Sequence, residues 1–103
     1  MDARTARKLL ERYDLTDFQK KVLVATATIP KGETRTYKQI AAAVRKPGAY
    51  RAVGSVMRIN PLAPMIPCHR VVKSDGSLGN YSAKGGTKTK RMMLLKEGAH
   101  IEK

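Results

Sequence analysis

Cysteine, acidic residues and aromatic residues are all scarce in this chain of 103 residues. It has one cysteine, no tryptophan, an aromatic fraction of 5%, and 8 Asp and Glu against 21 Lys and Arg. A single cysteine excludes an internal disulfide and is too few for a typical thiolate metal site. The shortage of aromatic rings argues against a stacking surface for single-stranded nucleic acid. No apolar run is long enough to span a bilayer, and no segment has the pattern of a signal peptide.

The excess of basic residues gives the chain a formal net charge of +13. An excess this large in a short chain predicts a polyanionic partner, and we expect double-stranded nucleic acid rather than a membrane surface. A free cysteine fits a reducing compartment. We therefore expect an intracellular monomer, located in the cytoplasm and associated with the nucleoid through DNA.

The length and the hydrophobic fraction of 42% predict one domain over residues 1–103. Its fold class is mainly α with short β elements. Hydrophobic periodicity predicts helices over 3–13, 18–28, 37–45, 49–59 and 87–97, and a short strand over 71–73. Thr16 or Asp17 is expected to cap the second helix and Thr36 the third, while Gly98 follows the last helix as a C′ residue does. The core side of the last helix is expected to include Met92, Met93 and either Leu94 or Leu95.

The two short helices within about 37–59, separated by a Pro-Gly turn, are typical of a helix-turn-helix. The second of them is unusual because its outward positions are basic or very small: Arg51, Ala52, Ser55 and Arg58. Gly54 in the middle of a helix costs about 1 kcal/mol relative to alanine, so a close neighbour must offset that loss. Packing against another helix and the approach of a DNA duplex both explain the glycine, and the net charge favours DNA.

The only cysteine lies in the segment Ile66-Pro67-Cys68-His69-Arg70-Val71-Val72, directly before a histidine. A lone cysteine is most often a small buried hydrophobe. A nucleophilic cysteine needs a base or a positive field, and His69 is the nearest base in sequence. Glu97 is either an ordinary surface charge or the acid that orients His69 in a Cys/His/acid relay. Its neighbours in the last helix are basic: Lys88, Lys90, Arg91 and Lys96.

Several blocks in a fixed order carry a resemblance to a known family. They are Thr36-Tyr37-Lys38-Gln39-Ile40-Ala41, Arg51-Ala52-Val53-Gly54, Asn60-Pro61, Pro67-Cys68-His69-Arg70-Val71, Gly79-Asn80-Tyr81-Ser82 and Leu94-Leu95-Lys96-Glu97-Gly98. Together they resemble the O6-alkylguanine-DNA alkyltransferases, also called methylated-DNA–protein-cysteine methyltransferases, from about Phe18 to Gly98. The resemblance implies the winged-helix-like helix-turn-helix fold of that family's C-terminal domain, with an active-site turn at 66–72. We expect the family's N-terminal RNase-H-like domain to be absent.

The resemblance implies DNA repair by direct transfer of an alkyl group from O6-alkylguanine in duplex DNA to Cys68. The base must first be flipped out of the helix. Each molecule would react once, without a cofactor or metal. His69 would withdraw the thiol proton through a water, and Glu97 would orient His69. Tyr37 would donate to ring N3 of guanine, and Asn60 would bridge the helix-turn-helix and the active-site turn.

The resemblance also implies two sets of binding residues, with Arg51 filling the space that the extruded base leaves. The set that contacts DNA is Thr36, Tyr37, Arg51, Ala52, Gly54, Ser55 and Arg58. The set that lines the substrate pocket is Met57, Val71, Tyr81 and Ser82. Backbone groups near Cys68 and Val71 would read the exocyclic amine of guanine.

Two other functions are compatible with parts of this pattern. Alkyltransferase-like proteins share the short single-domain build and bind O6-alkylguanine without repairing it. They typically carry tryptophan at the position of Cys68, so the cysteine favours transfer while the length favours the lesion-binding alternative. A basic helix-turn-helix regulator would not need Cys68 and His69. The basic stretch 82–89 looks longer than the usual substrate loop of the family, which leaves the breadth of the pocket open.

Overall fold

The computed structural model describes residues 1–75, 77–78 and 86–99. The elements in this part of the chain are α1 (Ala3–Leu10), α2 (Asp17–Ala27), β1 (Arg35–Thr36), α3 (Tyr37–Ala43), α4 (Tyr50–Arg58), β2 (Val71–Val72) and α5 (Gly86–Lys96). Two 3-10 helices, Pro47–Ala49 and Cys68–Arg70, precede α4 and β2. The predicted fold class, mainly α with short β elements, is confirmed. No helix in the described ranges is long and apolar enough to cross a membrane.

Local hydrogen bonds determine where the first two helices begin. Asp2 caps α1, where its Oδ1 accepts from the backbone N–H of Thr5 at 2.7 Å. Thr16 and Gln19 form a reciprocal capping box at the start of α2, with distances of 3.1 and 2.8 Å. The two helices pack against each other, and Leu10 of α1 is fully buried. Helix α1 ends three residues before the predicted boundary.

The helix-turn-helix predicted at about 37–59 is formed by α3 and α4. Thr36 and Gln39 make a second capping box, with distances of 3.0 and 2.8 Å. Helix α3 stops two residues before the predicted Arg45, because Arg45 adopts a left-handed backbone conformation with φ of 62°. The N–H of Lys46 then bonds to the carbonyl of Ala41 at 2.9 Å, which closes the helix end and turns the chain toward α4.

A two-residue parallel ladder joins the helix-turn-helix to the turn that carries Cys68. Arg35 pairs with Val71 and Thr36 with Val72. Because β1 runs directly into α3 and β2 directly follows Cys68–Arg70, the ladder sets the position of the cysteine relative to the first helix of the motif. The main core lies beneath these elements and includes Leu23, Ile40, Val53, Val56, Ile66 and Val71.

Helix α5 corrects the predicted burial pattern. Leu94 is fully buried as expected, but Met92 and Leu95 are 52% and 57% exposed. The residue one turn before Leu94 on the buried face is Lys90, which is also fully buried. A charged residue therefore occupies a core position of the helix, and the prediction that Met92 is buried is wrong.

Candidate active site and nucleic-acid interface

Cys68 is presented by the 3-10 helix that follows the proline-rich segment, and its side chain is buried. Asn60, just beyond α4, holds this segment through both ends of its amide. Its Nδ2 donates to the carbonyl of Ile66 at 2.8 Å, and its Oδ1 accepts from the N–H of Leu62 at 3.0 Å. The amide thus links the end of the helix-turn-helix to the residues just before Cys68, as the resemblance implies.

His69 and Glu97 are brought together from positions 28 residues apart. The Nε2 of His69 lies 3.0 Å from Oε2 of Glu97, and both side chains are largely buried, at 2% and 13% exposure. The interpretation of Glu97 as an ordinary surface charge is therefore wrong. Nδ1 of His69 is the buried side-chain nitrogen that has no hydrogen-bond partner among the described residues. One ring nitrogen is thus engaged by the acid and the other has a free lone pair or proton position.

The Schellman motif at the end of α5 positions Glu97. Gly98 has a φ of 81°, and the N–H of Ala99 bonds to the carbonyl of Leu94 at 3.0 Å. The turn after α2 packs closely here, since a Cβ on Gly32 would lie 3.0 Å from the carbonyl oxygen of Glu97. Glu97 is therefore held at a helix end that is itself closed and packed.

Arg70 is a site residue that sequence reasoning did not single out. Its Nε donates to Oε1 of Glu97 at 2.9 Å, and its Nη2 donates to Oε2 at 2.7 Å, a two-pronged contact. The remaining Nη1 donates to the carbonyl of Ile29, just past α2, at 2.8 Å. Arg70 therefore fixes the carboxylate that His69 contacts. Its partners lie 27 and 41 residues away in sequence, so no local pattern could reveal the contact.

Lys90 is a second site residue that the sequence did not single out. It was grouped with the basic neighbours of Glu97, yet its side chain is fully buried. Its Nζ donates to the carbonyl of Val71 at 2.7 Å and lies 5.8 Å from the centre of the Tyr37 ring. A buried lysine is costly to retain even when, as in the described part of the chain, its ammonium group has a carbonyl partner, and such lysines are typical of functional positions.

Burial and the neighbouring charges shift the pKa values of Cys68 and His69 in opposite directions. Burial raises the pKa of the Cys68 thiol, while a hydrogen bond from Asn60 and the charge of Lys90 act in the opposite direction. Burial also lowers the pKa of His69, although Glu97 opposes the shift. At neutral pH Cys68 is therefore a thiol and His69 a neutral imidazole.

The pKa values of Glu97 and Lys90 are both shifted strongly from their ordinary values. The hydrogen bond from Arg70 is the main reason why the pKa of Glu97 falls to about 2, so its carboxylate is ionised throughout the neutral range. Burial lowers the pKa of Lys90 to about 8. Burial raises the pKa of Tyr37, so the tyrosine hydroxyl keeps its proton. The site thus contains an anchored anion, a buried cation and a neutral hydrogen-bond donor.

The residues predicted to contact DNA lie together on one side of the helix-turn-helix. The exposed members are Arg51, Ala52, Ser55 and Arg58. Gly54 is half-buried, and a Cβ built on it would lie 4.0 Å from Cε1 of Tyr37, an ordinary contact. Packing against the described residues therefore does not require glycine at this position. The hydroxyl of Thr36 accepts from Gln39, so it serves the cap of α3.

Of the four residues predicted to line the substrate pocket, Met57 and Val71 lie within the described part of the chain. Met57 is buried in the core, with its sulfur 3.9 Å from the hydroxyl of Thr26. Val71 is fully buried and its carbonyl already accepts from Lys90, although a carbonyl oxygen retains a second lone pair. Tyr81 and Ser82 lie outside the described residues, as does part of the basic stretch 82–89.

The family model for the 6-O-methylguanine DNA methyltransferase DNA-binding domain matches residues 17–99. The chain belongs to the 6-O-methylguanine DNA methyltransferase family. The matched range contains both helices of the helix-turn-helix, the Cys68 turn and Glu97. The family assignment made from the sequence blocks is therefore confirmed.

Curated relatives within the family are similar over most of this chain. A methylated-DNA–protein-cysteine methyltransferase of Methanosarcina barkeri is 51% identical, and the match covers 85% of this chain and 58% of that protein. The methyltransferase of Mycobacterium tuberculosis H37Rv is 49% identical, with coverage of 77% of this chain and 47% of that protein. The chain thus spans about half the length of the methyltransferases that it matches.

Solved structures show the same relationship. Mycobacterium tuberculosis OGT in complex with DNA superposes with a TM-score of 0.77 at 48% identity, covering 82% of this chain and 50% of that one. S. pombe Atl1 in complex with damaged DNA containing O6-carboxymethylguanine has a TM-score of 0.76 at 31% identity, covering 88% and 84%. The methyltransferase is more similar in sequence, while Atl1 is more similar in length.

Proposed function

We propose that this protein repairs DNA by moving an alkyl group from O6 of a modified guanine in duplex DNA to Sγ of Cys68. In this step the C–S bond forms as the bond between the alkyl carbon and O6 breaks. The thioether is stable, so each molecule reacts once. The observation that carries the proposal is the buried His69–Glu97 contact beside the only cysteine, because it supplies the base that a protonated thiol needs.

We infer the proton transfers from the contacts of His69. Glu97 accepts from Nε2 of His69, which leaves Nδ1 to take the proton of Cys68, directly or through a water. The charge of Lys90 favours the thiolate that results. Tyr37 keeps its hydroxyl proton at neutral pH and donates it to the guanine as the base leaves. Acid, base and nucleophile thus have separate roles.

Duplex DNA is the partner that this surface fits. The net charge of +13 favours a polyanion, and the exposed side of α4 combines two arginines with very small residues. An O6-alkyl carbon inside the base stack is out of reach of Cys68, so the nucleotide must rotate out of the duplex. The space above Gly54 and Ala52 allows the DNA backbone or groove to approach α4 closely.

The proposal is tested by following the alkyl group. Incubation with a duplex that contains one O6-methylguanine should add one methyl group to the peptide holding Cys68, detected by mass spectrometry after proteolysis. The adduct should saturate at one per chain, and the same duplex with unmodified guanine should give none.

Absence of an adduct under excess substrate, with lesion binding retained, would support the lesion-binding alternative. The coverage of 84% of S. pombe Atl1 is the observation that keeps this second function under test.

Arg51 provides an independent test of base flipping. We expect Arg51→Ala to slow transfer from duplex DNA by about tenfold, because flipping costs a few kcal/mol and an inserted side chain recovers part of it. Transfer from free O6-benzylguanine, which needs no flipping, should change far less. Arg4→Ala, an exposed arginine on α1, is the matched control. Equal losses of Arg51→Ala on both substrates would reject the proposed role.

A further inference from the structure

A cleft of about 530 Å³ opens beside Tyr37, and its lining in the described residues contains neither Cys68 nor His69. Its walls come from three parts of the chain: the first turn of α3, the first two turns of α4, and the segment 73–75 after β2. The roles described above use Tyr37, Arg51 and Gly54 but leave Lys38, Tyr50 and the segment 73–75 without a function.

The lining is positively charged. Lys38, Arg51 and Lys73 supply three cations and Asp75 supplies one anion. The carboxylate of Asp75 is engaged in its own turn, where Oδ1 accepts from the backbone N–H and the hydroxyl of Ser77 at 2.9 and 2.7 Å. Neither lysine has a carboxylate partner within 4.0 Å in the described part of the chain. The cleft therefore retains a net positive charge.

Lys38 is held in place by an aromatic ring rather than by an acid. Its Nζ lies 5.3 Å from the centre of the Tyr50 ring, which comes from the start of α4. A cation–π contact restrains the ammonium group without neutralising it. The group thus stays available for an anion while part of the entropy of ordering it is already lost, which favours binding.

We propose that this cleft binds a backbone phosphate next to the nucleotide whose base lies against Cys68. This inference rests on the proposed function. Tyr37 lines the cleft and also packs near Lys90, which holds the carbonyl of Val71 in the active site. A nucleotide that places its base beside Cys68 keeps its phosphates outside the base pocket. The cleft that shares Tyr37 with the active site offers those phosphates two lysines, Lys38 and Lys73.

The first test is the salt dependence of binding to an unmodified duplex. Each lysine that neutralises one phosphate contributes about 0.9 to the log–log salt slope. Lys38→Ala and Lys73→Ala should each lower the slope by about 0.9, and the double variant by about 1.8. Lys8→Ala/Lys31→Ala removes the same charge from exposed positions outside the cleft and should leave the slope nearly unchanged. Equal changes in the two double variants would overturn the proposal.

The second test locates the phosphate. A neutral methylphosphonate is placed in turn at each phosphate flanking O6-methylguanine, and single-turnover transfer is measured. At one position the change should slow the wild-type protein about tenfold, and the Lys38→Ala/Lys73→Ala variant less than twofold, since the contact is already lost. Equal slowing of both proteins at every position would overturn the proposal that the cleft binds a phosphate. If the wild-type protein transfers nothing from the O6-methylguanine duplex with ordinary phosphates, the proposed function fails. The salt slopes then still show whether the cleft binds a phosphate.

Discussion

Replacing Cys68 with serine should abolish alkyl transfer, lowering the rate at least about 10³-fold, while binding to a lesion-containing duplex is retained. The substitution changes one atom, but an alcohol is far harder to ionise than a thiol. A neutral imidazole such as His69 cannot make up that difference. The measurement is single-turnover transfer to the protein alongside binding to an O6-methylguanine duplex. Transfer that persists in Cys68→Ser would show that another side chain is the nucleophile.

The fold of the variant must be checked because Cys68 is only 4% exposed. A buried hydroxyl without a partner costs roughly 1–3 kcal/mol. The amide of Asn60, which reaches the Cys68 side chain, offers the serine a hydrogen bond and limits that cost. Thermal unfolding should therefore show a cooperative transition, with Tm lower by about 4–8 °C for each kcal/mol that the substitution costs. Lesion binding measured on this folded variant separates recognition from chemistry.

Lys90→Met is expected to slow alkyl transfer. The buried ammonium favours the Cys68 thiolate, so its loss should raise the pKa of the thiol. A higher pKa leaves less thiolate at neutral pH, so we expect the rate of transfer there to fall severalfold. The pH profile of single-turnover transfer should move to higher pH. Lys88→Met, an exposed lysine on the same helix, is the matched control.

The same substitution should not destabilise the protein. The pKa of Lys90 is about 8 in the folded chain against 10.5 as its ordinary value. The unfolded chain therefore binds more protons between these values, and the free energy of unfolding rises with pH across that window. Below it, burying the charge costs about 3 kcal/mol, whereas a methionine in its place leaves the Val71 carbonyl without its donor at about 1–3 kcal/mol.

We therefore expect Lys90→Met to unfold at neutral pH with a free energy equal to the wild type or up to about 2 kcal/mol higher. The rise in stability between pH 8 and 10.5 should disappear. Denaturant unfolding at several pH values checks both statements. A variant that transfers at the wild-type rate with an unchanged pH profile would show that Lys90 has only a structural role.

The features that the sequence predicted well depend on contacts between residues three or four positions apart. The caps at Thr16 and Thr36 and the C′ glycine at Gly98 involve hydrogen bonds within one or two helical turns. The helix-turn-helix followed from the same local signals. Its boundary at Ala43 was missed because Arg45, a residue other than glycine, adopts the left-handed conformation.

The features that the sequence predicted poorly depend on contacts between residues that are far apart in the chain. Hydrophobic periodicity places apolar residues inward, so the pattern of α5 turned Met92 toward the core and gave no sign that Lys90 is buried. Nothing near Lys90 in sequence indicates the Val71 carbonyl 19 residues away that makes its burial possible. Arg70 lies in the same block as Cys68 and His69. Its contact with Glu97 could not be predicted from the sequence because the two residues belong to different elements.

The sequence alone determined the family, the helix-turn-helix and the inventory of reactive groups, because these depend on residue type, order and local hydrogen bonding. Only the tertiary structure decided that Glu97 contacts His69, that Arg70 secures Glu97, and that a lysine is buried near the thiol. It also decided the protonation state of each group, since a pKa responds to burial and to charges brought close by folding.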